Sequence, residues 1–462
     1  MSKTPRVLHI AHGIGSYNNS LRELARRLCN ANFALCVASH VDLSELLDDI
    51  NVRVEHLQAD KAIAERLREE THRLTDGGGL RQKFQRVSLS LRHRLGLTSA
   101  REIADLVTEW QPDVLLIDME CHVVIIQTRN LGITTILCSR WFTVFRTGRI
   151  PPMHTTLAPP ENLPDSLRVR WEWAKLALYK RWLDVRHRCS KRRFRLVDYE
   201  TNARSDLQAV ALGCGFSLDS IADRSHWLIP HVYRDLPVMS LTVRELEFEQ
   251  TNDNRMHYVG AMVDDSKNYK SSPASKRYQL FIKQRAAVGN PLIYCSYSSY
   301  WSTDFQYIKP LLDLFARRQD WDLVIGLGGK SETVNNSELP DNILVMNYAP
   351  QLEVLDNASV AITHGGISTI NEALGKGVPL IVGSAGHVDQ NGCMARVVHH
   401  KVGVAASSDP IDRAELERLI DGLLGEKGAE VRAQTAEMQR TMENYDKQNT
   451  AVEYLRSIAK KP

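Results

Sequence analysis

Between Tyr348 and Gln390 the chain gathers residue types suited to holding a phosphorylated, hydroxyl-rich molecule: Tyr348, Gln351, His364-Gly365-Gly366, Ser368-Thr369, Glu372 and Asp389-Gln390. A carboxylate accepts two hydroxyl protons, and an acid–amide couple both accepts and donates. Paired glycines carry no side chains that would hold a diphosphate off the backbone, while a histidine and two hydroxyls add donors.

The elements that must position these groups are legible around them. The β-branched runs Ile343 to Met346 and Val360 to Thr363 read as buried strands, the second ending at His364-Gly365-Gly366. A helix is expected from Ile367, with hydroxyl residues in the N-cap position and an acid in the first turn, closing at Gly375, Gly377 and Pro379. Strand, tight turn and helix N-terminus together aim bare amides and a positive dipole end at whatever lies beyond the strand, which is a phosphate seat. The Gly-Gly pair alone would sooner mark a plain βα corner of a parallel sheet.

In order and spacing, Tyr348-Ala349-Pro350-Gln351, His364-Gly365-Gly366, Glu372 and Asp389-Gln390 resemble the donor-site signature of the nucleotide-diphospho-sugar glycosyltransferases, the family of plant and bacterial UDP-glucosyltransferases and macrolide glycosyltransferases. The resemblance implies that Tyr348 stacks on the base and that Gln351 touches base or ribose. Glu372 would hold the ribose hydroxyls, His364 a phosphate, and Asp389 with Gln390 the sugar. Ser299, in Leu292 to Ser299, matches a phosphate-contacting segment. The implied architecture is α/β and GT-B, with two doubly wound Rossmann-like domains facing a cleft. An acceptor domain would occupy 1–262, a linker 263–278, a nucleotide-sugar domain 279–440, and a last helix over 441–462 would cross back. The loop from Pro379 to Asp389 is one residue longer than in the family, with Gly383 to His387 in place of apolar and proline residues.

The first half opens with the apolar run Val7 to His12, a loop through Gly13 and Gly15, and a helix over Ser20 to Leu28. Its GxG lacks the third glycine and the acid of a dinucleotide site. The resemblance makes this loop the seat of the general base, yet Ser16 stands where the family has histidine, and a serine hydroxyl is no base near neutral pH without a base of its own. His12, one short loop earlier, is the candidate substitute, its alternative being the hydrogen-bonded structural residue that a histidine ending a strand more often is. His9, on the strand face opposite Ile10, is a weaker candidate. Asp118 ends the buried run Gln111 to Asp118 and matches the family's aspartate that orients the base; capping the next helix is its alternative role. The implied reaction is inverting, metal-independent transfer of a hexose, glucose by preference, from a UDP-sugar to a small-molecule or lipid acceptor, with no cofactor. The alternative is a glycosyltransferase-like protein that has lost its chemistry and serves as a binding or activating partner.

With 462 residues, 43% apolar and 24% charged, the chain has material for two cores, and a net charge of +3 argues against a nucleic-acid partner. Eight cysteines without a CxxC pair read as buried thiols of a reducing compartment rather than metal ligands. An N-terminus without an apolar h-region, and no run near the length of a membrane span, point to the cytoplasm. Ala59 to Thr98, with its basic run Arg81 to Arg94, reads as a mobile loop and helix beside the acceptor cleft. Residues 168–195 carry eleven Lys and Arg against Glu172 and Asp184, and Leu167, Trp171, Leu178, Trp182 and Val185 fall on one helical stripe. Either this is a peripheral contact with an anionic membrane, or, more plainly, the stripe packs on the N-terminal sheet.

Overall fold

A computed structural model of the chain describes residues 4–13, 17–57, 98–190, 203–249, 253–264, 272–296, 305–328, 338–384, 386, 389–407 and 411–459, without the side chains of 98–102, 187–190 and 305–307. Ser16, Ser299, nearly all of the stretch 59–98 and residues 191–195 of the basic segment lie outside that description.

Among the described residues, two all-parallel sheets organise the chain. The first contains β1 (Arg6–Ile10), β2 (Ala34–Ser39), β3 (Arg53–His56), β4 (Val114–Asp118), β5 (Thr134–Ser139), β6 (Val238–Ser240) and β7 (Met256–Tyr258), in the order β3-β2-β1-β4-β5-β6-β7. The second contains β8 (Leu292–Ser296), β9 (Asp322–Gly326), β10 (Ile343–Met346), β11 (Ala358–Thr363), β12 (Leu380–Val382) and β13 (Gly403–Ala405), in the order β10-β9-β8-β11-β12-β13. β4, β9 and β10 are buried along their whole length, as strands covered on both faces must be, which is why they read as unbroken apolar runs. In each sheet the order reverses beside the first strand, between β1 and β4 and between β8 and β11. At such a switch the connections leave in opposite directions and open a crevice at the carboxyl ends. His12 follows β1, Asp118 ends β4 and His364 follows β11, so the candidate residues sit at these two points.

The halves are tied by buried charge. Arg396, 1% exposed, donates through Nε to Glu247 Oε1 at 2.7 Å and through Nη1 to the Gly392 carbonyl at 3.0 Å, with its guanidinium over Phe248 and Phe142. Glu247, equally buried, also accepts from the Thr143 and Phe248 amides and from the Tyr258 hydroxyl. Further along the seam, Arg22 donates to Asp264 at 2.6 Å and Thr242 Oγ1 to Asn371 Oδ1 at 3.1 Å. The chain then returns. A long helix (Ala429–Gln448) breaks at Asn449, φ 50°, and the last helix (Thr450–Ala459) buries Ala451, Val452 and Leu455 among Val7, Leu21, Leu24 and Leu116 of the first half. Gly260, φ +93°, lets the long helix come this close, because a Cβ there would lie 2.8 Å from that of Tyr445.

Helix Leu163–Ser190 corrects the plainer reading of its aromatic stripe. The face that packs is Val169, Trp173, Leu176 and Lys180, while Leu167, Trp171, Leu178, Trp182 and Val185 are exposed. Position decides it: Trp173 Nε1 reaches the Ile150 carbonyl at 2.9 Å and Lys180 Nζ the carbonyls of His226 and Leu228, both at 2.7 Å, and these anchors turn the stripe outward.

Replacing Arg396 with Met removes the charge that compensates Glu247 at a site without water access. Urea unfolding should register a loss of about 3–5 kcal/mol, against less than about 0.5 kcal/mol for Arg440→Met, whose ion pair with Glu437 is exposed on both sides.

Candidate functional site

At the carboxyl edge of the first sheet the local charge is Asp118, fully buried. Its Oδ1 meets His9 Nε2 at 3.1 Å, and its Oδ2 accepts from the His12 backbone amide at 2.9 Å and Arg140 Nη1 at 3.1 Å. Burial opposes ionisation, yet Arg140 and the bonds from His9 and His12 outweigh it, holding the carboxyl well below the usual range. Asp118 therefore touches the backbone of His12 and the ring of His9, a correction to the expectation that it would orient the base. Strand register is the reason. Ile10 pairs with Ile117, so Asp118 lies beside Ala11 and shares a face with His9, whereas His12 lies beyond the strand end. Cys138 completes a buried trio with His9 and Asp118, but the Arg140 guanidinium already supplies the cation there.

Two further groups extend this edge. Arg140 also donates through Nε to Ser20 Oγ at 3.0 Å, and its guanidinium lies 4.0 Å from the Tyr17 ring centre. Tyr17 in turn donates to Glu120 at 2.8 Å. Burial, then Asp118, push the Glu120 carboxyl upward, and His12 is among the charges that draw it back down, so the His12 ring and the Glu120 carboxylate share one electrostatic neighbourhood. His12 is partly exposed, unlike His9, and its Nδ1 is buried without a hydrogen-bond partner among the described residues.

The second half presents the predicted donor residues at the ends of β10, β11 and β12. Tyr348 is 68% exposed on the loop after β10, and Gln351 opens a short helix (Gln351–Leu355). Tyr294 OH donates to Gln351 Oε1 at 2.8 Å, Gln351 Nε2 donates to Glu372 Oε2, and Asn19 of the first half reaches Glu372 Oε1 at 3.4 Å. Glu372 is thus a buried carboxylate at the seam, raised above its usual range by that burial. A pocket of ≈ 20 Å³ between the halves is lined by Asn19, Ser20 and Arg140 on one side and Ser368, Asn371 and Glu372 on the other.

The helix beyond β11 (Ile367–Gly375) starts differently from expectation. Its N-cap is Gly366 with no side-chain cap; Ser368 and Thr369 lie inside the first turn, and Glu372 beyond it. The glycines serve packing as well as approach. A Cβ on Gly366 would lie 2.8 Å from His364 Nε2, and one on Gly365, φ +91°, 3.1 Å from the Gln390 carbonyl. The histidine ring thus folds over the turn. Asp389 and Gln390 diverge: Gln390 is buried behind Gly365, its Oε1 without a hydrogen-bond partner among the described residues, while Asp389 turns toward the first half. Burial and then Glu120 lift the Asp389 carboxyl to about 6, against a hydrogen bond from Trp141.

The structure thus sets Ser368 and the Gln351-bonded Glu372 against Asn19, Ser20 and Arg140 across one seam and Asp389 beside Glu120, with His12 and Asp118 on the first side and the turn His364-Gly365-Gly366 leading into the helix of the second; Tyr348 is exposed, and Thr369 and Gln390 are buried. Sequence reading missed Tyr17, Asn19, Glu120 and Arg140. A usable signal existed for two of them, since Glu120 and Arg140 directly follow the carboxyl ends of β4 and β5, where ligand crevices form.

Asp118→Asn should leave Arg140 buried and uncompensated, lowering unfolding free energy at pH 7 by about 3–5 kcal/mol. Because the native carboxyl lies well below its unfolded value, the parent begins to lose this contribution as pH falls below about 4 and loses it progressively further down, so the gap between parent and variant in urea unfolding should narrow steadily below that pH.

Residues 311–454 match the family model described as erythromycin biosynthesis protein CIII-like, C-terminal domain. The uncharacterized UDP-glucosyltransferase YdhE of Bacillus subtilis strain 168 is 33% identical over 102 residues, 22% of this chain and 26% of that protein. Demethyllactenocin mycarosyltransferase of Streptomyces fradiae is 29% identical over 124 residues, 27% of each chain. The matched stretch therefore spans about a quarter of these relatives' length. Along its whole length the chain superposes on the crystal structure of the glycotransferase of kitacinnamycin, with TM-score 0.62, 17% identity and 99% of both chains covered, a likeness of fold. The chain accordingly has the GT-B fold of two doubly wound Rossmann-like halves, and its residues 311–454 are similar to the EryCIII-like C-terminal domain.

Proposed function

We propose that the protein is a glycosyltransferase that moves a hexose, with glucose the first candidate, from a UDP-sugar to a small-molecule or lipophilic acceptor, with inversion and without a metal ion or cofactor. The observation that carries this reading is the meeting, across one seam, of Ser368 in the first turn of an uncapped helix and the Gln351-bonded Glu372 further along it with Asn19, Ser20 and Arg140 of the other half, and of Asp389 with Glu120. In it Tyr348 stacks on the base, and Gln351 and Glu372 exchange their mutual hydrogen bond for bonds to ribose. The acceptor oxygen attacks the anomeric carbon from the face opposite the diphosphate, and the broken C–O bond leaves its electron pair on a phosphate oxygen. The helix amides and His364 stabilise that charge. The acceptor proton passes to His12, and the neighbouring Glu120 carboxylate balances the imidazolium.

One observation favours a second reading, a binding or activating partner without chemistry of its own: Asp118 grips the buried His9 ring rather than that of His12. Calorimetry with UDP and turnover of UDP-glucose over phenols, amines, polyketides and lipid alcohols separate the two. Binding with turnover supports the transferase, binding alone the partner, and no binding removes both. In the transferase, His12→Ala should lower kcat by roughly 100-fold or more and Glu120→Gln by roughly tenfold, with the fold retained by circular dichroism. Unchanged kcat in both would remove the assigned base. Asp389, at about 6, accepts from sugar hydroxyls through both oxygens, and most strongly, when ionised. Donor KM should therefore rise as pH falls below about 6, and an Asp389→Asn variant should lose that dependence.

A further inference from the structure

Helix Leu163–Ser190 has two apolar faces, and only one is used by the fold. Val169, Trp173 and Leu176 pack inward, and Lys180 beside them spends its ammonium on the carbonyls of Arg224, His226 and Leu228. On the opposite side Leu163, Leu167, Trp171, Leu178, Trp182 and Val185 are half exposed or more, with Trp171 at 61% and Trp182 at 50%. At helical spacing they fill a sector of about 100° running along roughly 30 Å of helix. Such a continuous exposed stripe is unusual on a soluble surface and marks a contact.

The charges around it select the occupant. Arg170 and Arg181 border one edge of the stripe, and Arg168, Lys175 and Arg186 the other, all exposed. Glu172 and Asp184 are half-buried and already paired, with Lys175 at 2.5 Å and Arg224 at 2.6 Å. Arg186 lies over the Trp182 ring, which stacks on Tyr179. An apolar stripe with tryptophans, bordered on both sides by cations whose stems can lie along it, fits the boundary between acyl chains and anionic headgroups. A second copy of the chain fits poorly, since a two-fold contact would bring the same cationic edges together. No helix among the described residues is long and apolar enough to cross a membrane, so the contact would lie in the plane.

We propose that this helix docks the protein on an anionic lipid surface, with the Trp171–Trp182 stripe at acyl-chain depth and the flanking arginines on the headgroups. This holds whatever reaction the seam performs. The segment just before the helix ties the docked surface to that seam, because the His154 carbonyl accepts from Asn391 and the Met153 carbonyl lies against Gly392.

Flotation of the full chain with vesicles of phosphatidylcholine alone, or mixed with phosphatidylserine, tests it. Recovery should be roughly tenfold or more higher with the anionic vesicles and should fall as salt is raised. The Trp171→Ser/Trp182→Ser and Arg170→Glu/Arg181→Glu variants should each lose most of it while keeping parental circular dichroism. On the unaltered chain, anionic vesicles should shift tryptophan emission to the blue and protect it from iodide, a readout that survives if a variant does not fold. Equal or negligible recovery with both vesicles would overturn the proposal. So would a dimer in light scattering that the same substitutions dissolve in a chain that binds no vesicle.

Discussion

The arrangement of this molecule depends on a buried ion pair that belongs to neither half alone. Arg396, in a helix of the second half, and Glu247, just after a 3-10 turn of the first, are each 1% exposed, and neither could remain charged there without the other. Their geometry is over-determined, because Glu247 is held by two backbone amides and a tyrosine, and Arg396 by a carbonyl and two aromatic rings. The pair therefore specifies the relative placement of the halves more than it adds stability. That placement is what puts Asn19 on Glu372 and Asp389 beside Glu120.

The two sides of the seam are built on different physical terms. On the first, Asp118, Arg140 and His9 form a dry network in which charge balances charge, fixing the backbone at His12. On the second, carboxylates are raised by burial and lean on neutral donors: Glu372 on the Gln351 amide, Asp389 on the Trp141 indole. A buried network with every charge compensated is a rigid frame, whereas a buried carboxylate with neutral partners is poised to exchange them for ligand hydroxyls. The expectation of a simple Asp118–His12 couple fails for this reason, since the aspartate is committed to the frame. Glu120, two residues on, stands in the electrostatic field of the histidine instead.

The helix over 163–190 shows the limit of periodicity as evidence. Its apolar residues are arranged so nearly around the axis that a stripe chosen from sequence could be either face. A hydrogen bond from Trp173 and a lysine satisfied by backbone carbonyls decide which face turns inward.

Sequence alone determined what local chemistry determines. Short unbroken apolar runs rich in β-branched residues read as strands covered on both sides, so β4 and β10 were legible, and Gly-Gly after β11 marked a turn before a helix. The residue types at 351, 364, 372 and 389 carry the resemblance to a donor half because their order is written in one short stretch. Tertiary structure decided everything that needed two distant stretches to meet: His9 rather than His12 on Asp118, Glu120 beside His12, Asn19 on Glu372, and Gln390 turned inward while Asp389 turned outward. Strand spacing tells which face a side chain takes, but partners 100 to 350 residues apart are chosen by the register of parallel strands and the docking of two lobes, and neither leaves a local signature in the chain.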